Sequence, residues 1–214
     1  MKNYIVFLLT LNVCFCQGQI REPEAQQLLN EVSAKVNAYE SMSLGFKYVL
    51  ENSEENIRQE TRGDLTLEGE KYVLNILGIS RIYDGKSLIT ISPEDEEVTI
   101  SSNNTTDENT STPSELLSFY EEGYTYKMDI IQNIMGRKIQ YIKLIPMDSG
   151  SEIKYVLLGI DTKTKHVYNL IEIGSNNTKT TLTITSFKTN QLLSEEFFVF
   201  DANKYGDYYI NNLD

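Results

Sequence analysis

Residues 65–100 read LTLEGEKYVLNILGISRIYDGKSLITISPEDEEVTI, and the alternation in this stretch decides the fold. β-prone runs at 71–77 and 79–83 lead into Asp84-Gly85, and runs at 86–91 and 97–100 lead away from it. Asp-Gly between such runs predicts a hairpin with a type I′ turn, which needs positive φ at both central residues. Gly78 and Ser92-Pro93 punctuate the other joints. The expectation is a tightly connected antiparallel meander.

Upstream, Pro23 opens a helix that carries Ala25, Leu28, Leu29, Val32, Val36 and Tyr39 on one face. A helix with one apolar stripe must lie on something apolar. Leu44, Phe46, Tyr48 and Leu50 then alternate with Ser43, Gly45, Lys47 and Val49, the pattern of a half-buried strand. Residues 57–67 predict a longer strand, with Gly63 marking a bulge or a close backbone approach. Downstream, 101–112 is polar throughout and predicts a mobile loop. Thr112, Pro113 and Glu115 make a helix start, and Leu116, Leu117, Phe119 and Tyr120 make the helix 113–122 very apolar before Gly123 stops it. Strands resume from Tyr124 and are expected to end with a short one at 197–200. The expected fold class is mainly β with two helices (α+β): an antiparallel sheet of about eleven strands, sequentially connected, that curls and either closes into a barrel or stops as a half-barrel, with the N-terminal helix and the short mid-chain helix lying on it.

The first 18 residues have the marks of a cleaved signal peptide: a basic head, an apolar run from Tyr4 to Val13 and small residues around Cys16 and Gly18. Residues 19–214 then form a single domain, expected to be soluble outside the cytoplasm after cleavage and to be a monomer. Both cysteines, Cys14 and Cys16, fall in the removed segment, which leaves no thiol for a disulfide, a metal or a nucleophile. The formal net charge of -12 argues against nucleic acid, whose phosphates need a basic footprint.

No constellation for catalysis emerges. The single histidine, His166, heads a strand and is expected to be a solvated strand end. No Gly-x-Ser-x-Gly elbow, phosphate-cradling glycine motif or zinc ligand set accompanies it. Asp64 and Asp84 are explained by strand-edge and turn duties. Residues 94–97 lack EF-hand spacing. No enzyme activity, cofactor or metal is expected. The 14 Tyr and 8 Phe fall largely on alternating strand positions, either as an ordinary core or as the wall of a cavity.

Several patterns, taken in order, resemble the periplasmic lipoprotein carriers, the LolA-like family. They are the helix Ala25-Gln26-Gln27-Leu28-Leu29-Asn30-Glu31-Val32; Phe46; Gln59 with Gly63-Asp64-Leu65; and Lys71-Tyr72. They continue with Tyr83-Asp84-Gly85-Lys86-Ser87-Leu88; Ser92-Pro93; Thr112-Pro113-Ser114-Glu115-Leu116-Leu117; and Phe197-Phe198-Val199-Phe200. The resemblance implies a curved antiparallel half-barrel with the helices as a lid, and a non-enzymatic periplasmic carrier that shields the acyl chains of lipoproteins in an apolar cavity. Such a carrier takes its cargo from an ATP-driven inner-membrane transporter and hands it to an outer-membrane acceptor. The expected cavity residues are Phe46, Tyr48, Leu50, Leu65, Tyr72, Leu74, Ile76, Ile89, Ile91, Tyr126 and Met128, under a lid of Leu116, Leu117, Phe119 and Tyr120. One departure stands out: the Arg-Pro pair that latches the lid in the family would fall near Gly69-Glu70, where no arginine is present. Two alternatives remain open on the same scaffold, a lipid- or lipoprotein-sensing regulatory domain and an outer-membrane acceptor acylated at Cys14 or Cys16.

Overall fold

The computed structural model describes residues 22–102 and 119–213. One helix, α1 (Pro23–Asn37), precedes β1 (Ser41–Asn52), β2 (Ile57–Glu68), β3 (Lys71–Ile76), β4 (Ile79–Tyr83), β5 (Ser87–Ser92) and β6 (Glu97–Ser102). After a 3-10 turn at Phe119–Glu121 come β7 (Tyr124–Ile134), β8 (Arg137–Pro146), β9 (Ile153–Asp161), β10 (Val167–Gly174) and β11 (Lys179–Thr189). The last strand is β12 (Tyr209–Leu213). All twelve belong to one open curved sheet, in the order β12-β6-β5-β4-β3-β2-β1-β11-β10-β9-β8-β7. The sheet is therefore two meanders joined at the centre by β1 and β11, with β12 added parallel to β6 at one edge.

Two expectations about turns and strands change. Asp84-Gly85 is not a type I′ turn, because only Gly85 has positive φ (96°). The Asp84 carboxylate instead accepts from the Lys86 and Ser87 backbone N–H groups, both at 2.8 Å, and holds a wider loop closed. The turns with two positive φ values are Leu77-Gly78 (55° and 77°) and Met135-Gly136 (49° and 79°). The strand expected at 197–200 is a 3-10 turn, Glu195–Phe198, whose Phe198 is buried, and the true last strand lies further on at Tyr209–Leu213. Of the expected mid-chain helix, only the turn Phe119–Glu121 falls among the described residues; the loop 101–112 lies almost wholly outside them, as do Leu116 and Leu117.

The glycine in β2 marks a close approach rather than a bulge, since β2 keeps unbroken register with both neighbours. A Cβ at Gly63 would lie 2.5 Å from the Phe46 ring and 2.5 Å from the Asn75 carbonyl oxygen. The missing side chain is the space in which Phe46 lies flat on the sheet.

The helix is tied down at both ends. At its start the Glu22 carboxylate accepts from the Met128 N–H (2.8 Å) and the Glu22 N–H donates to the Tyr126 carbonyl (3.2 Å), on edge strand β7. Its apolar stripe, Ala25, Leu28, Leu29 and Val32, is buried against Tyr126, Ile142, Leu144, Val156, Leu158 and Ile160. Ser33 donates to Glu121, which brings the 3-10 turn to the flank of the helix. At the far end three contacts clasp the β9–β10 turn. Lys35 Nζ donates to the Thr164 carbonyl (2.7 Å), Lys165 pairs with Glu31 (2.8 Å), and Tyr39 Oη lies 2.7 Å from His166 Nε2. His166 is thus no solvated strand end: it is half-buried, with its ring centroid 4.3 Å from that of Phe187. Burial, and after it the Lys35 charge, pulls the imidazole below its ordinary 6.5, although Asp161 pulls the other way.

Two outcomes follow. Gly63→Ala is expected to lower stability by about 1–3 kcal/mol, read as a lower denaturation midpoint at unchanged slope, because the new methyl displaces Phe46 or a backbone oxygen; an unmoved midpoint would refute the close approach. His166 is neutral in the folded chain and more readily protonated unfolded, so its contribution holds above about pH 6.5 and is lost as pH falls through its lowered native value. His166→Gln should therefore flatten part of the stability loss between pH 7 and pH 5 that the parent chain shows in thermal melts; parallel curves for the two would refute the clasp's pH sensitivity.

Candidate functional site

Side chains alternate between two faces, and register across the sheet fixes which residues share one. The face that bears α1 carries a continuous row: Met128 opposite Ile142, Ile142 opposite Leu158, Leu158 opposite Leu170, Leu170 opposite Leu182, and Leu182 opposite Tyr48. Beside it Phe46 pairs with Ile184, and Leu44 pairs with Leu65, which pairs with Leu74. The inner face is therefore apolar from β7 to β3. Beneath α1 it is sealed, with Ile142 and Leu144 at 0% exposure and Leu158 at 1%. Towards β10, β11 and β1 the cover thins, and Leu170, Leu182, Ile184, Tyr48 and Leu50 are only half-buried.

The predicted site residues divide into three groups. Phe46, Leu65 and Tyr72 are buried in one cluster with Met42, Leu44 and Leu67, and Leu74 and Ile76 pack against it. Tyr48 and Leu50 continue this face along β1. Tyr126, Met128, Phe119 and Tyr120 belong to the second cluster, the one under α1. Burial, and after it the Glu121 carboxylate, pushes the Tyr120 hydroxyl up to about 12.

Ile89 and Ile91 are elsewhere. Tyr83 faces Leu88 and Ile82 faces Ile89, so Leu88 takes the inner face and both isoleucines take the outer one. There they are buried with Val98 under Phe200, Tyr205 and Tyr208. The two outer-face isoleucines stabilise the sheet edge and do not line the trough.

Several inner-face residues were not singled out from sequence. Leu88, Leu170, Leu182 and Ile184 belong to the lining, and two charges lie among them. Arg81 pairs with Leu74 across the β3–β4 hairpin. Glu172 lies between Val156 and Thr180, in line with Tyr126 and Leu144 on one side and Leu50 on the other. It is half-buried and has no hydrogen bond or ion pair among the described residues. Burial raises its carboxyl above the ordinary 4.5. Tyr124, near enough to feel that charge, is raised chiefly by its own burial. A single acid in a run of alternating apolar residues, Tyr168, Leu170, Glu172 on β10, was the signal available in the sequence.

The arrangement offers no nucleophile–base pair on the inner face among the described residues. It offers apolar wall, threonine hydroxyls (Thr61, Thr90 and Thr180) and the charges of Arg81 and Glu172.

Comparison with known proteins places the chain. No curated protein matches it. Among solved structures, an uncharacterized conserved protein from Thermus thermophilus superposes with a TM-score of 0.59 at 10% identity, over 89% of this chain and 99% of that one. LprF from Mycobacterium bovis superposes with a TM-score of 0.51 at 13% identity, over 81% and 97%. At these identities the likeness speaks to the fold alone. The family match is independent of them: residues 37–201 match the outer membrane lipoprotein carrier protein LolA, and since this is well over half of the 214 residues, the chain belongs to the LolA family.

Proposed function

We propose that the protein is a periplasmic carrier that binds the acyl chains of lipoproteins on the inner face of its sheet and ferries them from the inner to the outer membrane, without catalysing a reaction. The observation that carries this reading is the apolar row from Met128 to Tyr48, sealed at one end by α1 and only half-covered at the other. A half-covered apolar strip next to a sealed one is what a surface that receives hydrocarbon needs. Burying a CH₂ group contributes about 0.8 kcal/mol, so a long acyl chain fully enclosed contributes about 12 kcal/mol. Family membership supports the cargo class. Export by a signal peptide at 1–18, delivery by an ATP-driven inner-membrane transporter and transfer to an outer-membrane acceptor belong to the same proposal. So does a lid formed by Leu116, Leu117, Phe119 and Tyr120, of which Phe119 and Tyr120 pack on the cluster under α1.

The expected outcomes concern both faces. Leu182→Glu should weaken binding of a diacylated lipopeptide about tenfold or more, because a charge then interrupts the strip. Thr183→Glu, one residue on and facing outward, should leave binding unchanged. Equal affinities for the two variants in a fluorescence titration, with far-UV spectra matching the parent, would sink the trough as the binding surface. A second outcome concerns the acid on the wall. Glu172→Leu should tighten lipopeptide binding several-fold at pH 7.5, and the parent should gain affinity as pH falls and the carboxyl becomes neutral, a gain the variant lacks. A parent whose affinity does not move between pH 7.5 and 5 would remove Glu172 from the site.

A further inference from the structure

β11 outruns its neighbour. Its pairing with β10 ends at Thr183, whereas its pairing with β1 continues to Thr189. At this end of the sheet the β9–β10 turn is held by α1 through Lys35, Glu31 and Tyr39. Between the start of β8, this turn and the overhanging part of β11 lies a notch of about 560 Å³. That volume lies within the roughly 300–1,000 Å³ of small-molecule sites.

The chemistry of the notch is two-sided. Val167, Ile184 and Phe187 give it an apolar floor, and all three pack with the inner-face clusters. Arg137, Lys138 and Lys163 stand around it, exposed, and none makes an ion pair among the described residues, although Arg137 lies 6.0 Å from the centroid of the Tyr168 ring, which also lines the notch. Asp161 is the one acid in the lining, and it accepts from the Lys163 N–H (2.9 Å) and the Thr164 N–H (3.1 Å). Burial pushes its carboxyl up, but these bonds and then the Arg137 charge are among the influences that hold it low. His166 is turned to Tyr39. In a chain of net charge -12, whose field repels anions, three cations against one acid about an apolar floor mark a local reversal.

We propose that this notch binds an anionic amphiphile. The head, a phosphate or carboxylate, meets Arg137, Lys138 and Lys163, and the hydrocarbon lies over Ile184 and Phe187. Arg137 presents a planar fork that matches either anion bidentately, and the two lysines add point charges. An inorganic anion would leave the floor wet, and a neutral detergent would leave the cations unused. The site lies beyond the β10–β11 pairing and off the row from Met128 to Tyr48, sharing Ile184 with the inner-face lining, and its occupation does not depend on the carrier reading.

Isothermal titration of the full chain below the micelle concentration tests this, with dodecyl phosphate, inorganic phosphate and dodecyl maltoside as probes. Dodecyl phosphate should bind saturably and at least about tenfold tighter than either of the others, and should weaken several-fold between 0.05 and 0.5 M NaCl as screening grows. The double variant Arg137→Gln/Lys138→Gln, at two exposed positions, should lose about tenfold for dodecyl phosphate while its affinity for the diacylated lipopeptide stays at the parent value. Lys163→Gln should lose a smaller factor, which guards against a folding defect in the double variant. Dodecyl phosphate bound equally by parent and both variants would overturn the proposal, as would inorganic phosphate bound as tightly as the alkyl ester. If dodecyl phosphate binding instead falls with Leu182→Glu and ignores Arg137, the amphiphile sits in the trough: the notch is refuted and the carrier reading is left standing.

Discussion

A helix of fifteen residues is about 22 Å long and about 10 Å wide. Twelve strands spaced about 4.8 Å apart form a sheet about 53 Å across along its curve. One such helix cannot cover one face of such a sheet, and the consequences run through the molecule. Where α1 lies, the cluster of Ile142, Leu144 and Leu158 is sealed from water. Where it does not reach, the same apolar alternation continues into Leu170, Leu182 and Tyr48 with partial cover. Twist helps by curling the sheet so that its two meanders face each other across the trough. Gly63 helps by letting Phe46 lie flat, which thins the wall. Among the described residues neither supplies a second layer over β10, β11 and β1, and the apolar side chains there stay half-buried.

The clasp at the end of α1 shows how the single helix is kept in place. A helix seated on apolar contacts alone could slide along a smooth strip. Glu22 fixes one end to the edge of β7, where unpaired strand groups want partners, and Lys35, Glu31 and Tyr39 fix the other to the β9–β10 turn. The same clasp keeps that turn beside the helix while β11 runs on, so one set of polar contacts shapes both the seat of the helix and the notch.

The sheet was legible because its signals are local. Alternation, glycine joints and the helix start at Pro23 depend on neighbours in sequence, and each is where it was expected. What depends on distant chain was not legible. Residues 88–91 read Leu-Ile-Thr-Ile, apolar on both faces, because the segment carrying Phe200, Tyr205 and Tyr208 returns to cover the outer one. Nothing within β5 says which face is which, and a choice wrong by one residue moves the whole set to the other side. β12 is five residues, pairs in parallel and has exposed side chains, so no amphipathic period announces it. At Asp84-Gly85 the hairpin was right and the turn type wrong, because an aspartate can close a loop with its own carboxylate instead of adopting positive φ. Which residues of β1 to β3 share the inner face could be read from sequence. The contributions of β10 and β11 could not, since their inner residues are set by pairing with β1, which lies more than a hundred residues away in the chain.

Grip and release pull in opposite directions on such a surface. An affinity of about 12 kcal/mol corresponds to a dissociation constant near 1 nM, and further burial slows departure in proportion. A carrier must stop short of that, and an unbroken apolar wall is a poor way to do so. On this wall Glu172 interrupts the line from Tyr126 to Leu50, and Arg81 interrupts the line from Leu65 to Thr90. Each charge demands water or a partner, and an acyl chain offers neither. A chain that slides over Glu172 strips the carboxylate of solvent and raises the free energy of the loaded state without altering its seat on Leu170 and Leu182. Burial already raises this carboxyl in the empty protein, and only the further loss of water that cargo imposes counts against binding. In the proposed carrier, polar residues on the wall would therefore set how firmly it holds.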